Sequence, residues 1–349
     1  MQTYDLAPGH RISRVIKGGW QLAGGHGDID RQASIEDMIA FADAGITTFD
    51  CADIYTGVEA LIGEFRKEYE RVRGAEALNR IKVHTKFVPD LGNLATLSKA
   101  DVARAIETSL QRLNMEQLNL VQFHWWDYEV DRQVEVASWL AELRQEGKIA
   151  NIGGTNFDTE QMLRIIDAGV PLVSMQVQYS LIDDRPSRSM VAAALKHGVR
   201  LLCYGSVGGG LFSERMLGAP ELKPPFENRS LIKYKLIVDE FGGWDLFQEL
   251  LQALSVVAAR HGSDIASIAS RAVLERPGVA AVIVGARNRN HLERNLAIPG
   301  IKLSEEDFAE INAVLARANP VPGDVYTLER DRNGKHGSVM KYNLNKEGH

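Results

Sequence analysis

Residues 47–57 read TTFDCADIYTG and place Asp50, Asp53 and Tyr55 within six positions, beginning where an apolar run stops. Two later apolar runs also deliver polar groups near their ends: IKVHTKF (81–87) carries Lys86, and LNLVQFH (118–124) ends on His124. A free phenol, with a pKa of about 10, is a weak acid at neutral pH. A neighbouring ammonium favours phenolate and lowers that value by about 1–3. Lys86 can supply the charge, Asp50 can hold Lys86 by an ion pair, and His124 can donate to or orient a carbonyl oxygen. Together they suit a general acid, Tyr55, that protonates an aldehyde or ketone oxygen as it is reduced. No side chain carries a hydride, so that reaction needs a cofactor.

No spacing in the sequence forces these groups together; the phase of the strand ends does. RVIKGGW (14–20), ITTFD (46–50), IKVHTKF, LNLVQFH, IANIGGT (149–155), LVSMQVQ (172–178), VRLLCYG (199–205) and VAAVIVG (279–285) are short apolar runs rich in β-branched residues. Each reads as a buried strand. Helical patterns lie between them at 34–45, 99–114, 133–148, 159–169 and 187–198, the first with Ser34 as N-cap and Gly45 past its end. Eight such units without a break predict an α/β fold with one closed (β/α)8 TIM barrel, a single domain over 1–349 with a core of about 12–317. In this barrel the active site lies at the C-terminal ends of the strands, which places the four groups on one rim. The stretch 205–245 after the seventh strand is too long for a plain connection and reads as a lid or a partly disordered loop. A last helix spans 305–319, and a polar tail follows to 349 as a C-terminal extension whose order the sequence does not set.

Composition narrows the class of function. The net charge of −6, from 40 basic and 46 acidic residues, offers no general basic surface for nucleic acid. Two cysteines, Cys51 and Cys203, are too few for a disulfide framework and lack metal-ligand spacing. No signal-peptide pattern and no run of 18 apolar residues predict a cytoplasmic chain without a membrane span, acting on small molecules as a monomer or weak homo-oligomer.

Asp50, Tyr55, Lys86 and His124, with FDCADIYTGVEALIG around the first two, resemble the catalytic tetrad of the aldo-keto reductases. The resemblance runs from about 12 to about 317 and implies a nicotinamide cofactor, NADP(H) with NAD(H) as the alternative, bound without a Rossmann domain. GGW, with Gly19 and Trp20, resembles the family's first strand end. By the same resemblance Asn156, in GTNF, and Gln176 hold the nicotinamide carboxamide, and Tyr204 stacks on the ring. Gly205, Ser206, Gly209 and Leu211 line the cofactor after strand seven, where glycine N–H groups can cradle a pyrophosphate. Gly285, Arg287, His291 and Asn295 match the segment around the adenosine 2′-phosphate, with Arg287 favoured over Arg289 for the phosphate. The implied substrate is a small aldehyde or ketone, or the corresponding alcohol in reverse, in a pocket of Trp20, Ile54, Tyr55, His124, Trp125 and Trp126. Trp125, directly after the histidine, is the expected substrate contact.

Some positions depart from the commoner pattern. Gly205-Ser206 replaces Ser-Pro, and His291 and Arg294 stand where Arg or Gln and Glu are usual, which leaves the choice between NADPH and NADH open. Two other functions compete. One is a cofactor-binding regulatory subunit with slow turnover, against which the complete tetrad argues. The other is a metal-dependent hydrolase using His84, His124 and Asp50, for which the ligand count falls short. Singly, Asp50 reads as a strand-end cap, Asp53 as a structural loop or capping residue, Tyr204 as core and Cys51 as a small buried side chain.

Overall fold

The eight apolar runs become eight parallel strands. The computed structural model describes residues 1–23, 29–286 and 288–345. A hairpin comes first: β1 (Thr3–Ala7) pairs antiparallel with β2 (His10–Ser13). The barrel follows as β3 (Val15–Gly18), β4 (Thr48–Asp50), β5 (Lys82–Phe87), β6 (Leu120–Phe123), β7 (Ile152–Thr155), β8 (Leu172–Gln178), β9 (Arg200–Tyr204) and β10 (Val279–Gly285). It closes in the order β10-β3-β4-β5-β6-β7-β8-β9. Because both faces of such a sheet are covered, the strands are continuous apolar runs rather than alternating ones.

Helix boundaries follow local capping. The first long helix, Arg31–Asp43, begins three residues before Ser34: Asp30 accepts from Ala33 N at 3.0 Å and is the N-cap. Ser34 sits one turn inside, its hydroxyl donating back to the Asp30 carbonyl at 2.7 Å. Gly45 ends the turn at φ +97°, where a side chain is disfavoured. Helix Lys99–Leu113 starts with a capping box of Ser98 and Asp101.

The stretch 205–245 is ordered. It holds a 3-10 turn at Gly208–Gly210 and a helix at Arg229–Phe241, N-capped by Asn228 and burying Leu231, Tyr234, Ile237, Val238 and Phe241. That burial pattern is helical and was present in the sequence, masked by the Gly- and Pro-rich residues before it. The described part of the tail folds back over the C-terminal ends of the strands. Tyr342 O accepts from Leu91 N at 2.8 Å, and Asn345 N donates to Asp90 at 3.0 Å.

The hairpin closes the opposite end of the barrel. Leu6 and Ile12 pack on Ile16, Leu120, Leu202, Ala280 and Ala281, near the beginnings of their strands. Beneath the core, His10 Nε2 meets His84 Nε2 at 3.0 Å. Burial, and then the charge of Lys82, hold His10 down to about 4, and burial holds His84 well below the ordinary histidine value. The unfolded chain therefore protonates first. The stability contribution is complete above about pH 6.5 and is lost as pH falls towards 4, about 3 kcal/mol for His10 alone. Urea unfolding at pH 7 and pH 4.5 is expected to show this loss, and His10→Phe/His84→Leu is expected to flatten it. An equally steep acid limb in the double variant would contradict the assignment.

Candidate active site

Three successive barrel strands, β4 to β6, set the four expected groups on one rim. Asp50 ends β4, and its Cα pairs in register with Gly18 of β3 and His84 of β5. Lys86, one residue from the end of β5, donates to Asp50 Oδ1 at 2.5 Å and to the Cys51 carbonyl at 2.8 Å. Tyr55 lies in the loop after β4, its ring centroid 5.0 Å from Lys86 Nζ and 5.0 Å from the Trp20 ring. His124 follows β6, and its Nδ1 is 3.0 Å from the Thr155 carbonyl at the end of β7. These groups open into a cavity of about 380 Å³ whose walls include Trp20, Ile54, Trp126, Asn156, Gln176 and Tyr204. That volume suits a small ligand or part of a larger one.

Asp50 is the hub of a buried polar network. Its Oδ2 accepts from Gln122 Nε2 at 2.9 Å and from Gln176 Nε2 at 2.6 Å, and Gln176 also donates to Gln122 Oε1 at 2.8 Å. Burial works against the Lys86 ammonium, but Asp50 and Tyr55 outweigh it and raise Lys86 above its ordinary value. Tyr55 departs from the sequence expectation. Burial raises the phenol, and the lowering by Lys86 is too weak to reverse this, partly because Asp50 opposes it. An ammonium 2.5 Å from a carboxylate has little field left for a third group. His124 is held down to about 3 by burial first and the charge of Arg330 second. It is therefore neutral, and since a carbonyl only accepts, Nδ1 carries the proton. Nε2, buried and unpaired among the described residues, is a lone-pair acceptor. In this state Nε2 offers an incoming ligand a lone pair and no proton.

The family model for the aldo/keto reductases matches residues 14–316. The chain belongs to the aldo/keto reductase family. It is 31% identical over 317 residues to the aldo-keto reductase YhdN of Bacillus subtilis, covering 88% of this chain and 91% of that protein. It is 24% identical over 322 residues to the NADH-specific methylglyoxal reductase of Escherichia coli, covering 85% and 92%. Its fold matches a glycerol dehydrogenase from Gluconobacter oxydans with a TM-score of 0.75 at 25% identity, over 90% of this chain and 95% of that one. As an aldo-keto reductase the protein is an oxidoreductase of small carbonyl or alcohol compounds.

Several residues expected to touch ligands sit elsewhere. Trp125 is fully buried behind the cavity, its Nε1 donating to the Val130 carbonyl at 2.9 Å and its ring packed on Phe123; Trp126 takes the cavity wall. After β6 the chain turns, so the residue directly after His124 points into the helical layer. Gly19 is used by the barrel: its N–H donates to the Asp50 carbonyl at 2.7 Å, and a Cβ there would lie 2.8 Å from that oxygen. Ser206 is buried against Ser270 at 3.1 Å, and Leu211 is buried in the cluster under helix 229–241. His291 and Asn295 lie in the segment after β10 and off the cavity, whose wall there ends at Gly285. Arg287 lies outside the described residues. Arg289 is paired with Asp37 at 2.6 Å, which leaves it poorly placed for a phosphate.

Other expected positions line the cavity and have acquired neighbours. Tyr204 OH donates to Asn156 Oδ1 at 2.8 Å. Lys233 Nζ lies 4.9 Å from the Tyr204 ring centroid, 5.6 Å from Tyr234 and 5.7 Å from Tyr326. Tyr234 packs on the backbone at Gly205 and Gly209, where an added Cβ would lie 2.8 Å from its hydroxyl oxygen and 2.7 Å from its ring. In this conformation Lys233 and Tyr234 cover the glycine turn expected to cradle phosphate.

Sequence reasoning missed Gln122, Lys233, Tyr234, Tyr326 and Arg330. Gln122 sits two residues before His124 on the same strand face, a period-2 signal that was available. Asp53 ties its own loop to the one after β5, accepting from Ile54 N at 2.8 Å and from Val88 N at 2.9 Å. His84 faces His10 rather than a metal site. Among the described residues no group of three or more His, Cys, Asp or Glu is placed to hold a metal ion, and no helix is long and apolar enough to cross a membrane.

Proposed function

We propose that the protein reduces a small aldehyde or ketone to the alcohol, or runs the reverse oxidation, with Tyr55 as general acid or base and NADP(H) as cofactor. One observation carries the nicotinamide assignment. A carboxylate only accepts, so the two contacts to Asp50 Oδ2 fix Gln122 and Gln176 with their NH2 groups towards it. Gln176 is left with its carbonyl oxygen as the free end. Asn156 Oδ1 is taken by the Tyr204 hydroxyl, which leaves its NH2 as donor. One donor and one acceptor, both on the cavity wall beside Tyr204, complement a primary carboxamide.

A nicotinamide held there supplies or takes up the hydride. Tyr55 gives its proton to the carbonyl oxygen. Lys86, fixed by Asp50 and the Cys51 carbonyl, presents positive charge where negative charge develops. His124, neutral, takes a hydrogen bond from the hydroxyl that forms and so orients the alcohol. Trp20, Ile54 and Trp126 exclude water and favour a substrate with apolar surface.

Binding tests this directly. Trp20 and Trp126 line the cavity, so quenching of intrinsic fluorescence reports occupancy. NADPH is expected to bind more tightly than NADH, and Arg287→Ala to remove most of that preference. Tighter NADH binding in wild type would reassign the cofactor to NADH, and equal affinities would remove the preference for NADPH; either leaves the carbonyl chemistry standing. Failure of either nucleotide to bind would overturn the reading.

A further inference from the structure

The matched family region stops at residue 316, yet one side chain beyond it reaches the backbone of the site. Arg330 closes the short helix Thr327–Arg330 in the tail. Its Nη1 donates to the Trp125 carbonyl and, at 2.9 Å, to the Trp126 carbonyl; its Nη2 donates to the Asn156 carbonyl at 2.7 Å. The guanidinium carbon lies 3.8 Å from the centroid of the Tyr128 ring. A planar fork holds three carbonyls at fixed separation in a way that an ammonium does not.

Asn156 has a conformation to be held. It sits at φ +60°, in the left-handed region that asparagine visits more readily than most non-glycine residues, though not by default. Its N–H donates to the Gln176 carbonyl at 2.9 Å, and its carbonyl is held by Arg330. These contacts fix the peptide on both sides and so aim the Asn156 amide into the cavity. The carbonyl of Trp126, whose ring is the cavity wall, is fixed by the same fork.

We infer that Arg330 is a positioning residue: it locks Asn156 in its left-handed conformation so that the tail completes the carboxamide site. This rests on the nicotinamide reading above. Arg330 touches no reacting atom in this account.

The test compares a ligand that reaches Asn156 with one that does not. Arg330→Met keeps the stem and removes the fork; Arg330→Lys keeps the charge and loses the geometry. Dissociation constants are measured by fluorescence for NADPH and for 2′-phospho-ADP-ribose, which lacks the nicotinamide. Loss of an aimed hydrogen bond predicts about ten-fold weaker NADPH binding with the fragment unchanged, in both variants. Millimolar guanidinium chloride added to Arg330→Ala is expected to restore part of the NADPH affinity. A parallel weakening of both ligands, or of neither, overturns the inference even if the melting temperature falls, since that is what a purely structural role would give. If wild type binds the fragment but gains nothing from the nicotinamide, the carboxamide reading fails and the inference with it. Tight wild-type NADPH binding with an unaffected Arg330→Met removes the inference alone.

Discussion

Tyr55→Phe is expected to lower kcat for carbonyl reduction by about 10²–10⁴-fold, the usual contribution of a positioned general acid. The substitution removes one hydroxyl and keeps the ring, whose contacts to Lys86 and Trp20 stay in place. Cofactor affinity is therefore expected to hold within a factor of about two, since the lost atom is worth well under a kcal/mol of ground-state binding. Neither Lys86 nor His124 is placed to substitute as acid. Lys86 is pinned to Asp50 and raised above its ordinary value. His124 is held down to about 3 and has its proton engaged by the Thr155 carbonyl. The raised Tyr55 phenol also fixes the sign of the pH profile. Reduction needs the protonated form, so kcat for reduction stays flat through neutral pH and declines only above about 10, the ordinary tyrosine value. The alcohol oxidation needs the phenolate and rises over the same range. Steady-state rates in both directions, with nucleotide binding measured on the same preparations, check this. A Phe variant retaining a tenth of wild-type kcat would remove Tyr55 from the mechanism.

What the sequence displayed and what it hid divide along physical lines. Strands β3 to β10 were legible because burial on both faces leaves unbroken apolar runs. The meeting of Asp50, Tyr55, Lys86 and His124 was legible because they fall at strand ends in one closed barrel, so the fold supplies a proximity that spacing does not. Trp125 and Trp126 were not separable, because which of two adjacent side chains faces inward depends on how the chain leaves β6. The state of Tyr55 was misjudged for a related reason. The sequence shows a lysine but not that a carboxylate sits 2.5 Å from it. The tail was hardest. Its polar composition resembles an unordered end, yet Tyr326, Glu329 and Arg330 bind partners more than 100 positions earlier, Glu329 to Arg185 and Arg330 to Asn156. No local signal encodes such pairings.

Arg185→Met is expected to destabilise the protein by about 3–5 kcal/mol, the cost of stripping a buried ion pair of one partner. Arg185 follows β8 and is 1% exposed. It forks onto Asp183 at 2.7 and 2.9 Å and onto Glu329 of the tail at 3.0 Å twice, and both acids are fully buried. Burial pushes the Glu329 carboxyl up, but the Arg185 charge and hydrogen bonds win and hold it at about 2. A carboxyl lowered in the folded state adds stability above its unfolded value near 4.5 that fades as pH falls towards 2. Without Arg185 the burial effect is left dominant, so the sign reverses for this carboxyl and the variant's deficit relative to wild type shrinks as pH drops from neutral towards 5. That reversal separates the mechanism from a simple packing defect, which would be indifferent to pH. Glu329→Gln in the Arg185→Met background removes one of the stranded charges and is expected to recover part of the loss. The same fork ties down the residue next to Arg330, so the single variant should also bind NADPH more weakly than its remaining folded fraction explains. Urea unfolding at pH 5 and pH 7, with the slope compared between variants, gives the answer. A loss below about 1 kcal/mol, or one that deepens on acidification, would show that the tail is held by its apolar contacts and not by this pair.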